Sequence, residues 1–264
     1  MLLLSFLLVS LIVFAVSLLS GLVFRKALLI FAGCFVAVNL LFILFWALVS
    51  LTSDMSKPIE KQKKLYRIGC VLIAELLCEY AGVRPHISGA EKLPEEGRFL
   101  FVCNHRSMFD PLIVIDKLRK FNISFVSKPS NMELPIAGRL SYGAGFLPID
   151  RENDRNALRT ILAAAGYLKN GICSMGIYPE GTRSKTEEML PFHPGSFKIA
   201  QRASVPVAVA AVRGSEKVTK ELFRRTDVYL DILEVIPAET VKTMNTQELA
   251  AYTQEKIAAR LKGE

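Results

Sequence analysis

The sequence predicts an α/β sandwich, in which helices flank a largely parallel sheet, preceded by an N-terminal two-helix membrane hairpin. Two observations lead to this prediction. After residue 83, short apolar runs typical of buried strands alternate with stretches of helical periodicity, and this alternation is typical of parallel α/β sheets. Before residue 54, two long runs lack any charged side chain, and each exceeds the roughly 20 residues that cross a bilayer.

The hairpin is predicted to comprise residues 1–53. Its two apolar runs, Met1–Phe24 and Ala27–Ser53, are separated only by Arg25 and Lys26. A cleaved signal peptide is disfavoured, because the first run lacks a basic start and a small-x-small site followed by polar sequence. The sequence leaves open whether the two helices span the membrane or lie partly in one leaflet.

Basic residues are in excess after the hairpin. Five of them closely follow the second apolar run, namely Lys57, Lys61, Lys63, Lys64 and Arg67. Only two lie in the connection, so we expect the C-terminal part on the cytoplasmic side of the cell membrane. The net charge is +8, and +6 remains without Arg25 and Lys26, the only charges before residue 54. A basic domain at a bilayer suits anionic headgroups and phosphate-bearing substrates, whereas no motif supports a nucleic acid as partner.

Residues 54–83 are predicted to form a polar linker and an amphipathic helix, and residues 84–264 to form the α/β domain. Strands are predicted where apolar or alternating runs are bounded by turn residues. They cover residues 84–87, 99–103, 121–127, 172–178, 205–212 and 228–235. Helices are predicted where apolar residues recur every three or four positions. They cover residues 112–118, 156–168, 195–203 and 246–261, whereas residues 129–145 are rich in turn formers.

A histidine and an aspartate follow the strand predicted at residues 99–103. His105 lies at the carboxyl end of this strand, where open α/β sheets bind ligands. Asp110 precedes Pro111, so we expect it to cap the next helix. A turn between them brings an imidazole and a carboxylate into hydrogen-bond range, which makes a general base. A single histidine–aspartate pair is more often structural or on the surface, so the prediction of a general base depends on the residues described next.

Three basic residues also follow strand-like stretches: Lys128, Arg151 and Arg183. If the strands are parallel neighbours, these residues converge on the same edge of the sheet as His105. Arginine binds phosphate through a planar fork, and lysine acts as a point charge. Gly181 lets the backbone approach a ligand, and the hydroxyl of Thr182 can donate a hydrogen bond. A general base beside a cationic pocket suits a substrate that carries both a phosphate and a hydroxyl.

Cysteine and metal chemistry are disfavoured. The five cysteines form no CxxC pair, which is typical of free thiols in a reducing compartment. Cys103 adjoins the histidine, but its place in a strand favours packing over nucleophilic attack. The three histidines, His86, His105 and His193, show no metal-ligand spacing.

These residues lie in motifs that resemble those of the glycerolipid acyltransferase family, in particular its bacterial 1-acyl-glycerol-3-phosphate acyltransferases. The resemblance covers roughly residues 84–261 and three motifs. The first, NHxSxxD, is met by Asn104, His105, Ser107 and Asp110; the second, a glycine before alternating apolar residues and Asp-Arg, by Gly145–Arg151; the third, PEGTRS after an aromatic or apolar residue, by Tyr178–Ser184. The chain departs from the family at Ala210, where a proline is usual.

The resemblance implies a glycerolipid-acyltransferase-like fold, with an acyltransferase domain at residues 84–264. It implies that His105 is the catalytic base and that Asp110 orients it. The residues implied to hold the acceptor are Lys128, Arg151, Glu180, Gly181, Thr182 and Arg183. The implied reaction moves a fatty acyl group from acyl-CoA or acyl-carrier protein to the sn-2 hydroxyl of lysophosphatidic acid, and it gives phosphatidic acid for phospholipid biosynthesis. No cofactor besides this co-substrate and no metal is implied.

Other functions remain open on sequence alone. The acceptor of an acyltransferase of this kind could instead be glycerol-3-phosphate, a lysophospholipid or a lyso-ornithine lipid. A lipid hydrolase would use the same base to activate water. A non-catalytic lipid-binding membrane protein is a third alternative, against which the presence of both His105 and Asp110 counts.

Overall fold

The computed structural model describes residues 1–57, 59–184, 186, 188–221 and 224–263. In this part of the chain, seven strands form one sheet in the order β1-β7-β6-β2-β5-β3-β4. The strands are β1 (Val83–Ser88), β2 (Leu100–Cys103), β3 (Ile123–Ser127), β4 (Leu147–Pro148), β5 (Ser174–Ile177), β6 (Val207–Arg213) and β7 (Thr226–Ile236). Five neighbouring strands, from β6 to β4, are parallel. The predicted, largely parallel sheet is confirmed.

The two strands at one side of the sheet, β7 and β1, depart from this parallel arrangement. Strand β7 runs antiparallel to β6, with a register shift between Val209 and Ala210, and β1 runs parallel to β7. Both strands therefore point opposite to the other five. The carboxyl ends of β2, β5, β3 and β4 share one edge of the sheet, as expected for parallel neighbours.

Helices cover both faces of the sheet. They are α1 (Leu2–Leu19), α2 (Phe24–Leu51), α3 (Lys64–Tyr80), α4 (Asp110–Lys117), α5 (Pro129–Met132), α6 (Ala137–Gly143), α7 (Asp154–Lys169), α8 (Lys198–Ala203), α9 (Ala238–Thr243) and α10 (Thr246–Lys262). Helices α3, α4 and α6 pack on one face, with Phe101 and Cys103 of β2. Helices α7 to α10 pack on the other, with Leu100 and Val102. This alternation along β2 is the period of two that a strand buried on both faces requires.

The two N-terminal helices form the predicted apolar pair. Helices α1 and α2 are long and apolar enough to cross a membrane, judged by length and composition. The C-terminal half of α2 is attached to α3: the Trp46 ring lies against Gly69, where a Cβ atom would be only 2.6 Å from the ring. The Tyr80 hydroxyl donates to the Asn39 side chain at 2.6 Å. The hairpin is thus fastened to the domain through α3.

Two local predictions are corrected by the structure. Asp110 is not a side-chain cap, because α4 begins at Asp110 itself and its carboxylate bonds to amides that precede the helix. Residues 129–145 contain two short helices, α5 and α6. They are held by close packing that sequence periodicity does not reveal: a Cβ on Gly138 would lie 2.2 Å from the Met132 carbonyl, and one on Gly143 at 2.2 Å from the Tyr66 ring.

Candidate active site

The imidazole of His105 and the carboxylate of Asp110 form a hydrogen-bonded pair at the carboxyl end of β2. His105 Nδ1 lies 2.8 Å from Asp110 Oδ2. The histidine side chain is 18% exposed, whereas the aspartate side chain is 1% exposed. A buried carboxylate on Nδ1 keeps that nitrogen protonated and leaves Nε2 as the proton acceptor. The pair has the arrangement of a general base.

The turn between these residues explains how the carboxylate is held. Asp110 Oδ2 also accepts from the backbone amides of Arg106 at 2.7 Å and Ser107 at 2.8 Å. The Asn104 side chain donates to the Val212 carbonyl at 2.9 Å and accepts from its amide at 2.8 Å, which ties the start of the turn to β6. Three N–H groups therefore face one oxygen of this buried carboxylate and fix its position.

The His105 imidazole stacks on an aromatic ring. The Tyr178 ring stacks on His105, with centroids 4.2 Å apart and planes 16° apart. Its other face stacks on Phe125 at 5.3 Å. Tyr178 is buried, and burial raises the pKa of its hydroxyl well above the usual value. The stack fixes the plane of the imidazole, and it places an electron-rich face under a ring that becomes positive when it accepts a proton.

We expect Tyr178→Leu to lower kcat about 3- to 10-fold with little change in KM, because stacked aromatic pairs contribute about 0.5–1.5 kcal/mol. Tyr178→Phe keeps the ring and should retain wild-type kcat. The check is steady-state kinetics on both variants, beside thermal melting to confirm folding. Equal losses in the two variants would show that the stack does not act on the imidazole.

Glu180 connects the turn of β2 to the loop that follows β5. Its Oε1 accepts from the His105 amide at 2.6 Å, and its Oε2 accepts from the Leu190 amide at 2.8 Å. The residue is 3% exposed, and burial raises the pKa of its carboxyl. Because both oxygens bind backbone amides and the group is an acid, this geometry favours positioning of His105 over contact with an anionic substrate.

The second and third sequence motifs meet at Gly181. Its φ of 78° is in the left-handed region that favours glycine. A Cβ there would lie 3.1 Å from the His193 imidazole and 3.5 Å from Arg151 Nη1. Arg151 follows β4, which is two strands from β5 in the sheet. Its side chain nevertheless reaches the loop that follows β5. Burial lowers the pKa of its guanidinium, which nevertheless stays charged.

A cavity of about 580 Å³ opens beside this glycine. Tyr178 is among its lining residues, and His105 is not. The Tyr178 ring packs on the face of the sheet that holds Phe101 and Phe125, whereas the lining residues Ile149, Ile161 and Ile177 belong to the other face. The other lining residues are of two kinds. Apolar ones include Ile149, Leu158, Ile161 and Ile177, and cationic or titratable ones include Arg151, His193 and Lys198. A mixed lining of this kind suits an amphipathic ligand with an anionic end.

The remaining predicted residues lie at the same edge of the sheet. Thr182 and Arg183 are exposed in the loop after β5, and the amide of Ser184 donates to the His105 carbonyl at 3.0 Å. Lys128 is exposed after β3, two strands from β2, or roughly 10 Å at the usual strand spacing. Within the described residues, no hydrogen bond or ion pair joins Lys128 to the other predicted site residues.

Two residues of this site, Tyr178 and His193, were not predicted as site residues from the sequence, whereas Cys103 was predicted to have no chemical role. Tyr178 was visible only as the aromatic position before PEGTRS, and its stack requires β2 and β5 to be neighbours. His193 lies in a loop with no periodicity or spacing that marks it. Cys103 is 1% exposed, and burial raises the pKa of its thiol well above the usual value, which agrees with a packing role.

The sequence was also compared with those of known proteins. The chain matches the family model described as Acyltransferase over residues 84–213. It is 31% identical over 169 residues to the 1-acyl-sn-glycerol-3-phosphate acyltransferase of Salmonella typhimurium, which covers 61% of this chain and 68% of that relative. The chain belongs to the acyltransferase family. The enzyme of the same name from Escherichia coli is 29% identical over 167 residues, covering 61% of this chain and 68% of that acyltransferase.

A solved structure supports the fold of this acyltransferase. The 1-acyl-sn-glycerophosphate (LPA) acyltransferase of Thermotoga maritima superposes with a TM-score of 0.63 over 83% of this chain and 86% of that one, at 22% identity. The resemblance drawn from the three motifs is therefore confirmed, as is the predicted fold class. The protein is an enzyme of the acyltransferase class.

Proposed function

We propose that this acyltransferase transfers a fatty acyl group from a thioester donor to the sn-2 hydroxyl of lysophosphatidic acid, which gives phosphatidic acid for phospholipid biosynthesis. The donor is acyl-CoA or acyl-carrier protein, and no other cofactor takes part. The observation that carries the proposal is the His105 imidazole, held by buried Asp110, at the same edge of the sheet as a cavity with cationic and apolar walls. The printed names of the Salmonella and Escherichia relatives support the choice of acceptor.

The chemistry follows from the free nitrogen of the imidazole. His105 Nε2 removes the proton of the acceptor hydroxyl as its oxygen attacks the carbonyl carbon of the thioester. The tetrahedral intermediate collapses, the carbon–sulfur bond breaks, and the imidazolium returns the proton to the leaving thiolate. Asp110 stabilises the imidazolium between these steps. No covalent acyl-enzyme forms, because the acceptor itself is the nucleophile.

The acceptor phosphate is assigned to the cationic side of the site. Arg151 lies against Gly181, and Arg183 is exposed two residues further on. Each planar guanidinium can donate two parallel hydrogen bonds to two phosphate oxygens. This bidentate contact fixes the orientation of the glycerol. Thr182 supplies a hydroxyl and Lys128 a more distant point charge, while Glu180 acts on His105. Holding the hydroxyl in place in this way accounts for several kcal/mol of the barrier.

The hairpin has a role in the same proposal. Lysophosphatidic and phosphatidic acids are lipids of the bilayer, and the apolar side chains of α1 and α2 are largely exposed. A domain anchored by this hairpin in the cell membrane can take a lipid acceptor from the bilayer and a soluble donor from the cytoplasm. We propose that the catalytic domain lies on the cytoplasmic side, because basic residues are in excess after the hairpin.

We expect Arg183→Ala to raise the acceptor KM about 10- to 100-fold with a smaller change in kcat, because charge-assisted hydrogen bonds contribute about 1.5–3 kcal/mol. The measurement is initial rate against lysophosphatidic acid concentration at saturating donor. Arg202→Ala serves as the control, since Arg202 is an exposed arginine on α8. An unchanged acceptor KM in Arg183→Ala would count against phosphate binding by that residue.

The substrate assignment is tested by assaying the purified full chain with both thioester donors and a panel of acceptors. The panel contains lysophosphatidic acid, glycerol-3-phosphate, a neutral lysophospholipid and a lyso-ornithine lipid, and products are identified by mass spectrometry. We expect phosphatidic acid to form at least ten times faster than any other product. A faster reaction with another acceptor would overturn this assignment while leaving acyl transfer in place.

A further inference from the structure

A second cleft, of about 700 Å³, lies at the edge of the sheet opposite to His105. Part of its wall consists of residues one or two positions before strands, namely Arg98 before β2, Asn122 before β3 and Ile172 before β5. The rest comes from residues 60–62 of the linker, from Lys64, Arg67 and Ile68 in the first turns of α3, and from Arg119, Asn170 and Gly171. This cleft is therefore separate from the cavity beside Gly181.

The cleft is strongly basic. Five cationic side chains line it, against the single carboxylate of Glu60: Lys61, Lys64, Arg67, Arg98 and Arg119. Arg119 is neutralised by Glu75 at 3.1 Å and Asp116 at 2.6 Å. The other four make no ion pair with any described residue. The one carboxylate of Glu60 does not balance these four cations, so a bound anion would reduce their mutual repulsion.

One of these cations is buried with unused donors. Arg67 is 8% exposed, and its Nη1 donates to the Ile123 carbonyl at 2.7 Å. Its Nε and Nη2 are buried and have no hydrogen-bond partner in the described part of the chain. A buried guanidinium that lacks acceptors is destabilising, and phosphate oxygens are the acceptors that its planar fork fits.

The surroundings of the cleft favour a lipid as the source of that phosphate. Ile68, which lines the cleft, is 50% exposed, and Leu65 beside Lys64 is 46% exposed. The same end of α3 is attached to the end of α2, because Thr52 Oγ1 lies 2.9 Å from the Tyr66 hydroxyl. Cations next to exposed aliphatic side chains, at the base of an apolar hairpin, match a phosphate headgroup with acyl chains attached.

We propose that this cleft binds the phosphate headgroup of an anionic phospholipid, at a site distinct from that of the acceptor. The inference rests on the proposed membrane location of the hairpin, but not on the reaction at His105. A bound headgroup neutralises Lys61 and Lys64 and offsets the charge of buried Arg67. It thereby fixes the linker between the hairpin and the domain at a membrane surface.

The test measures lipid binding by the purified full chain in neutral detergent micelles. Phosphatidylglycerol is the anionic probe, phosphatidylcholine the neutral one, and glycerol phosphate the soluble phosphate. We expect phosphatidylglycerol to bind at least tenfold more tightly than the other two. The double variant Lys61→Gln/Lys64→Gln should lose most of this preference, as should Arg98→Gln. A matched charge control is Lys217→Gln/Lys242→Gln, which changes two exposed lysines outside the cleft and should bind like wild type.

Several results would overturn the proposal. Equal binding of the two lipids would do so, as would glycerol phosphate that binds as tightly as phosphatidylglycerol, and so would equal losses in the two double variants. The His105→Ala variant separates this site from the reaction, because it should lose transfer and keep phosphatidylglycerol binding. If the proposed acyl transfer fails while lipid binding persists and still depends on the cleft, only the proposed reaction is contradicted.

Discussion

Replacing His105 by alanine should reduce kcat about 10²- to 10⁴-fold and leave the fold intact, because a positioned general base contributes a factor of that size. The imidazole is partly exposed and bonds to Asp110 alone among described side chains, so its loss removes a proton acceptor and little packing. Initial rates at saturating donor and acceptor measure the effect, and circular dichroism with thermal melting reports the fold.

The chain offers a matched control for this variant. His86 and Asp227 form a second pair with the same 2.8 Å separation, but their side chains are 51% and 47% exposed. This pair lies on β1 and β7, which are three and two strands from β2 in the sheet. His86→Ala should retain full activity. If His105→Ala keeps a tenth of the wild-type rate, the general-base assignment is wrong.

The second large effect is expected at Asp110. Asp110→Asn preserves the size of the side chain but removes the charge that stabilises the imidazolium, and its amide can no longer hold Nδ1 protonated while accepting from two backbone amides. We expect kcat to fall about 10²- to 10⁴-fold, close to the loss in His105→Ala. The acceptor KM should change little, because Asp110 does not contact the proposed phosphate site.

Stability provides an independent readout for the same residue. Asp110→Ala leaves three donors without their acceptor in a buried turn, and each unsatisfied donor costs about 1–3 kcal/mol. Its melting temperature should therefore lie below that of Asp110→Asn, which retains an acceptor oxygen. Asp227→Asn, on the exposed pair, is the control for both measurements. Wild-type kcat in Asp110→Asn would exclude a role of the charge in catalysis.

The position of the site at the carboxyl ends of the strands was predictable, because the end of each strand can be recognised from the residues around it. The strand before His105 and the strand before Tyr178 are short apolar runs, and in a parallel sheet their carboxyl ends share one edge. The distance between His105 and Asp110 also follows from a short turn, so this pair was predictable. What the turn does with the carboxylate was not, since the bonds from the Arg106 and Ser107 amides depend on the exact path of the backbone.

Contacts between distant segments were beyond the sequence. Whether Tyr178 lies under His105 depends on which strand neighbours β2, and the order β2-β5-β3-β4 cannot be read from chain order. The reach of Arg151 to Gly181 and the placement of His193 depend on loop paths of the same kind. The helices at residues 129–145 were missed because their stability comes from tertiary packing at Gly138 and Gly143, not from periodicity.

The release of thiol from the donor, followed with and without the acceptor, tests most directly whether His105 activates the acceptor hydroxyl. Purified protein is mixed with acyl-CoA or acyl-carrier protein, and free thiol, phosphatidic acid and free fatty acid are quantified together. Thiol should appear only when lysophosphatidic acid is present, in a one-to-one ratio with phosphatidic acid. Thiol release with free fatty acid in the absence of lysophosphatidic acid would show instead that the base activates water, and the assignment of His105 to the acceptor hydroxyl would be wrong.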